Sequence, residues 1–156
     1  MSTALPYDLL GIEFGDARIQ ALLTEYGLPL KRPKVKRGDF DVGIEVEKEG
    51  VDLVFSLVEA IPSMEGSGLP EGALVLSAVF LYPDAKGKRP GFKSPLPAGL
   101  SFNMSRQQVA SVLGQPDSTS PVFPNDRWDK EGRSLIVDFE ENEKAIDTVT
   151  IQISDA

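Results

Sequence analysis

The sequence predicts an α+β protein: two α-β-β-β repeats forming a mostly antiparallel sheet with both helices on one face. Three observations predict it. Glu47-Lys48-Glu49-Gly50 and the alternating run Val51 to Glu59 lie over Asp129-Lys130-Glu131-Gly132 and Arg133 to Glu141. Upstream, Gly11-Ile12-Glu13-Phe14 matches Gly99-Leu100-Ser101-Phe102. Each of those blocks opens a helical stretch, closed by Gly27-Leu28-Pro29 or Gly114-Gln115-Pro116, with a spacing that differs by one residue. Three blocks in one order are the mark of an internal duplication, which decides architecture ahead of any propensity. The repeats are placed at residues 1–83 and 99–156, joined by a Pro-rich linker at 84–98.

In the first repeat Asp16 can cap a helix whose apolar face is Ile19, Leu22, Leu23 and Tyr26, ending before Gly27. Phe40, Val42, Ile44 and Val46 then alternate with Asp41, Gly43, Glu45 and Glu47. Lys48-Glu49-Gly50 turns the chain, and Val51, Leu53, Phe55 and Leu57 return, which predicts a hairpin. Ala73 to Tyr82 is apolar on both faces, so it is a central strand or one covered by another segment. Ile61 to Gly72 and Pro83 to Pro97 are loops by composition.

In the second repeat Ser105 is an N-cap, Gln108 completes a capping box, and Met104 can staple onto Val109 before Gly114 and Pro116 end the helix. Strands are predicted over Val122 to Asp129, Arg133 to Phe139 and Ala145 to Ile153. The repeat register puts Leu53 and Leu135 at equivalent inward positions and lays Trp128 over Val46, which reads as core packing.

Composition narrows the chemistry. A 156-residue chain with 41% hydrophobic residues can build a core without staples. It has no Cys and no His, which removes disulfides, thiolate nucleophiles, imidazole acid–base catalysis and the usual zinc ligand sets. The residues after Met1 have neither the basic nor the apolar region of a secretory leader, and no apolar run is long enough for a bilayer span, so a cytoplasmic location without membrane contact is expected. Net charge is -8, and nine of the 16 basic residues fall in two acid-free stretches, Lys31 to Arg37 and Lys86 to Lys93. The rest of the chain sets seven basic residues against 24 acidic ones, a surface that repels nucleic acid and favours a basic protein.

Few constellations suggest catalysis. Glu140, Glu141 and Glu143 around Asn142 lack the spacing of a calcium loop and read as a solvated hairpin tip. Gly66-Ser67-Gly68-Leu69-Pro70-Glu71-Gly72 has no following Lys and a Pro where a helix would begin, so it reads as a loop and not a phosphate cradle. Lys31-Arg32-Pro33-Lys34-Val35-Lys36-Arg37 has no interleaved aromatic and reads as a solvated loop at the rim of an interface. No enzymatic activity, metal or cofactor is expected.

The outward sheet face is the candidate site. It is expected to present Asp41, Glu45, Glu47, Asp52, Val54 and Ser56 from the first repeat. The second contributes Arg127, Asp129, Ser134, Ile136, Asp138, Thr148, Thr150 and Gln152. Acids mixed with hydroxyls and isolated aliphatics suit a wet, electrostatically matched protein interface, and an ordinary solvated face is the competing reading.

The run Gly99 to Pro116 resembles the helix signature of outer-membrane assembly lipoproteins of the SmpA/OmlA type. The tandem α-β-β-β pattern resembles the beta-lactamase inhibitor protein fold, and Asp126-Arg127-Trp128 to Gly132 with its Leu-Ile-Val strand resembles bacterial toxin immunity proteins. What these resemblances imply is a protein-binding inhibitor, an immunity protein that neutralises a cognate secreted toxin or effector by occluding it. The alternative they leave open is a non-enzymatic structural adaptor resembling the outer-membrane assembly proteins.

Overall fold

The computed structural model describes residues 4–85 and 88–156. Lys86 of the second basic stretch and the end Met1 to Thr3 lie outside the described residues. In chain order the elements are α1 (Ala17–Glu25), β1 (Asp41–Val46), β2 (Val51–Leu57), β3 (Leu74–Leu81), α2 (Arg106–Leu113), β4 (Ser118–Thr119), β5 (Asn125–Lys130), β6 (Arg133–Phe139) and β7 (Ile146–Ile153). The seven strands form one sheet, ordered β1-β2-β3-β7-β6-β5-β4, with every pairing antiparallel. The protein is therefore α+β, with two helices and a seven-stranded antiparallel sheet.

Local chemistry sets the helices as the sequence predicts. The Asp16 carboxylate accepts from the Arg18 amide at 2.9 Å and from its guanidinium at 3.0 Å, and those hydrogen bonds lower its pKa to about 2. Gly27, at φ 70°, lets Leu28 bond back to Leu23 and ends α1. Ser105 and Gln108 form the reciprocal capping box of α2.

The hairpin of β1 and β2 turns through a short 3-10 segment, Glu47–Glu49, with Gly50 left-handed at φ 67°. A Cβ on Gly50 would stand 2.3 Å from the Phe92 amide, so the linker predicted as a free loop is seated against this turn. Phe92 also donates to the Tyr82 carbonyl at 2.9 Å.

Central placement of β3 follows from its neighbours. It pairs β2 along one side, and on the other it pairs β7 only over Ala78 to Leu81. The remaining stretch is taken by the N-terminal segment: Gly11 donates to Leu76, Leu76 to Ile12 and Phe14 to Leu74, at 2.8 to 3.0 Å. Every β3 side chain is buried except that of the half-buried Phe80, in keeping with the unbroken apolar run.

Cross-strand rows define the core. Ile44, Leu53, Val79, Ile151, Leu135 and Trp128 form one row, and Val46, Val51, Leu81, Val149, Val137 and Asp126 the next. A single buried cluster takes Ile19, Leu22 and Leu23 from α1 but only Val109 from α2. Near the second helix, Val112 is 51% exposed, and a groove of about 710 Å³ opens between it, Leu113, Trp128, Leu135 and Ile151.

Several expectations need correction. Phe40 is 66% exposed because it stands beyond the end of β1, at the outer corner of the sheet where β2 also stops. Val122 and Phe123 are exposed ahead of β5. Pro121 and Pro124 withhold two ladder donors there, and the Ser120 hydroxyl takes the amides between them at 3.2 and 3.1 Å. Leu135 keeps its inward position but is only half-buried, since it floors the groove. Trp128 lines the same groove, with its indole N–H on the Gly114 carbonyl at 3.1 Å.

Candidate functional site

Opposite the buried rows, the other face of the sheet carries its own. Glu45, Asp52, Phe80, Thr150, Ile136 and Arg127 are register partners in sequence, one strand to the next. Beside them run Gly43, Val54, Ala78, Gln152, Ser134 and Asp129. Six strands at the usual spacing make each row about 24 Å long. The register thus brings together Glu45, Asp52, Val54, Arg127, Asp129 and Ile136 on one surface, with Asp41 and Asp138 in flanking positions on the same strands.

Charge is not spread evenly along these rows. At the β1 end Asp41 and Glu45 are exposed, and among the described residues neither has an ion-pair or side-chain hydrogen-bond partner. Asp52 is half-buried between them and β3. It accepts from the Tyr82 hydroxyl at 2.8 Å, and the Arg89 guanidinium lies 3.9 Å away, stacked 4.0 Å over the Tyr82 ring. Burial first, then the hydrogen bond to Asp52, pushes the Tyr82 phenol up to about 12, so it stays a donor at neutral pH. Gly43, Glu45, Asp52, Val54, Phe80 and Tyr82 surround a dimple of about 260 Å³.

At the β5 end the charges are spent on each other. Arg127 bonds Asp129 at 2.9 Å and the Ser134 hydroxyl at 2.8 Å, and Ser134 also donates to Asp129. The bond from Ser134, then that from Arg127, holds the Asp129 carboxyl below its usual range. Asp138 receives the Asn125 amide at 3.2 Å, yet burial raises its pKa.

Two predicted site residues do not belong to this surface. Glu47 lies in the hairpin turn, off the strand. Ser56 is buried, its hydroxyl 2.6 Å from that of Ser77, because a bulge at Val54/Phe55 turns Ser77 toward it. Ser134 and Thr150, also expected on this face, are buried as well. Conversely, Phe80, Tyr82 and Arg89 join the site unpredicted. A polar Tyr82 closing an apolar strand was the available signal for the first two. Arg89 had none, since only the fold of the linker brings it to Asp52.

A second polar cluster also escaped sequence reasoning. Asp126, 3% exposed at the end of an apolar row, receives both Arg106 Nε at 3.0 Å and Nη2 at 2.7 Å, together with the Thr119 hydroxyl. Arg106 Nη1 reaches Glu143 at 3.0 Å. Burial raises the Asp126 pKa, but the bonds from Arg106 and Thr119 outweigh it and the carboxyl titrates below its usual range. This fork ties the first turn of α2 to β5 and is structural.

The remaining chemical candidates stay apart. Glu140 and Glu141 are exposed at a turn, and among the described residues no group of three acids is placed to hold a metal ion. Residues Lys31, Arg32, Lys34, Lys36 and Arg37 are exposed on the loop before β1. No described helix is long and apolar enough to cross a membrane. The chain matches no protein-family model, no curated protein and no solved structure.

Proposed function

We propose that this chain is a protein-binding inhibitor of the immunity-protein kind, which acts in the cytoplasm by occluding a cognate secreted toxin with a basic surface. The observation that carries this reading is the acidic end of the sheet face, where Asp41 and Glu45 project without partners beside the Asp52 dimple. Unpaired carboxylates above a half-apolar floor suit a partner that arrives by electrostatic attraction and then loses water on contact. A duplicated α-β-β-β organisation with both helices on one side is part of this proposal, the second unit carrying one strand more than expected, the two-residue β4. Each half runs helix then strands, β3 meets β7 at the seam, and both helices feed one buried cluster. The absence of His and Cys favours binding over catalysis.

The test is a titration of the toxin captured by the native chain against a variant carrying Asp41→Lys and Glu45→Lys. Asp52 is left in place because it holds Tyr82. Affinity should fall by about 2 kcal/mol or more, the association rate of the native chain should drop steeply with salt, and the melt should be unchanged. Equal affinity for native and reversed chains, with equal melts, rejects this face as the interface.

A further inference from the structure

The sheet has two edges of unequal length. β4 closes one side with only Ser118 and Thr119, whereas β1 offers six residues on the other. Leu57 donates to the Phe40 carbonyl, and antiparallel pairing alternates, so residues 42, 44 and 46 bond to β2 while Asp41, Gly43 and Glu45 aim their amides and carbonyls outward. Among the described residues, no backbone or side-chain hydrogen bond reaches these outward groups. A long edge with free groups is a template for another strand unless something guards it.

Charge decides which strand it accepts. In a second copy paired antiparallel about Gly43, Asp41 would face Glu45 twice, and paired about Ile44 it would face Glu47. Like charges directly opposite are destabilising in both registers. A guest with basic side chains at alternate positions meets the reverse situation. Its residue opposite Gly43 has Asp41 and Glu45 diagonally beside it and no side chain in front. It can reach across the glycine toward the dimple, where the unpartnered carboxylates of Asp41 and Glu45 and the Phe80 ring favour a cation, while Arg89 already serves Asp52 and the Tyr82 ring.

We infer that the β1 edge takes an extended segment of a protein partner by strand addition, with a Lys or Arg side chain seated over Gly43 and apolar residues facing Val42 and Ile44. The exposed bases from Lys34 to Arg37 precede the strand, so the guest's acidic end lies there and its basic end beside Glu45. Main-chain bonds supply affinity and the alternate pocket supplies specificity. This inference deepens the inhibitor reading and rests on it only for the existence of a protein partner.

The probe is the peptide acetyl-Arg-Val-Lys-Val-Ser-Glu-Glu-amide, added to the full chain while amide hydrogen exchange is followed. Saturating peptide should slow exchange at Asp41, Gly43 and Glu45 about tenfold or more, because exchange then requires the added strand to open. The same peptide N-methylated at the amides that face β1 should protect none of them. Gly43→Pro removes one outward N–H and no ladder bond, and should abolish the effect. Gly43→Val should keep the fold, since a Cβ there meets only the Leu53 carbonyl at 4.0 Å, and should weaken binding by filling the dimple. Full protection by the N-methylated or the reversed-sequence peptide, or no protection at the three amides, overturns the inference. Should Asp41→Lys with Glu45→Lys abolish toxin binding while the peptide protects nothing, the face reading stands and strand addition alone fails.

Discussion

The two halves of the sheet are built from similar elements and are covered very differently. Over β1 to β3, α1 lays down three fully buried side chains, Ile19, Leu22 and Leu23, and the Phe14 ring meets Phe55 edge-on at 5.2 Å. Over β5 to β7, α2 buries only Val109 and leaves Trp128, Leu135 and Ile151 around an open groove. What the second half lacks in apolar cover it replaces with a polar clasp, the fork from Arg106 to Asp126. A helix can therefore be held to a sheet by packing or by a buried ion pair. The second way leaves space beneath it.

The largest effects should separate these two attachments. Leu53→Ala empties a fully buried site under α1 and should cost about 2 to 5 kcal/mol. Leu135→Ala, at the matching row position but half-exposed in the groove, should cost only about 1 kcal/mol. Chemical denaturation of both variants measures the gap, and equal losses would mean that the halves are packed alike.

Removing the clasp should cost about 3 kcal/mol at neutral pH in Arg106→Ala, because the Asp126 carboxylate is left buried and unpaired. Its pH dependence has a definite sign. In the native chain the Asp126 pKa lies below its unfolded value. Its contribution is therefore full above the ordinary carboxylate range and lost as pH falls through the folded value. In Arg106→Ala burial, the largest of these influences, is opposed only by the Thr119 hydroxyl and reverses the shift, so the deficit should shrink as pH falls from 7 to 3. A deficit that is flat with pH breaks the assignment.

The smallest effect concerns the open face of the second half. Asp138 has a raised pKa through burial, so its contribution is most favourable below the unfolded pKa and declines as pH rises through the folded one. Asp138→Asn keeps an acceptor for the Asn125 amide and should stabilise the chain by about 0.5 kcal/mol at pH 7, with no gain near pH 3. Thermal melts at the two pH values check it.

Much of the local structure was legible. Asp16 and Ser105 announce helix starts because their side chains satisfy amides a few residues away, and the alternation from Val42 to Leu57 forces a hairpin because its period matches the pleat. Part of the site was legible for the same reason, since residue parity alone places Asp41, Glu45, Asp52, Arg127 and Ile136 on one face. Parity puts Ser56 on that same face opposite Asp41 but cannot show that it is covered, and it fails where prolines break a run, as at Val122 and Phe123.

The sequence by itself determined helix ends, strand periodicity and the sign of the charge on each strand, because these depend on neighbours within a few residues. Only the tertiary structure decided that Glu45 and Arg127 stand at opposite ends of one row, since that order depends on the seam between β3 and β7. It also decided that Arg127 and Asp129 neutralise each other, that Arg89 returns from the linker to Asp52, and that α2 leaves its groove open. Each of these depends on groups far apart in the chain, whose distances are fixed only when the sheet closes and the helices settle on it.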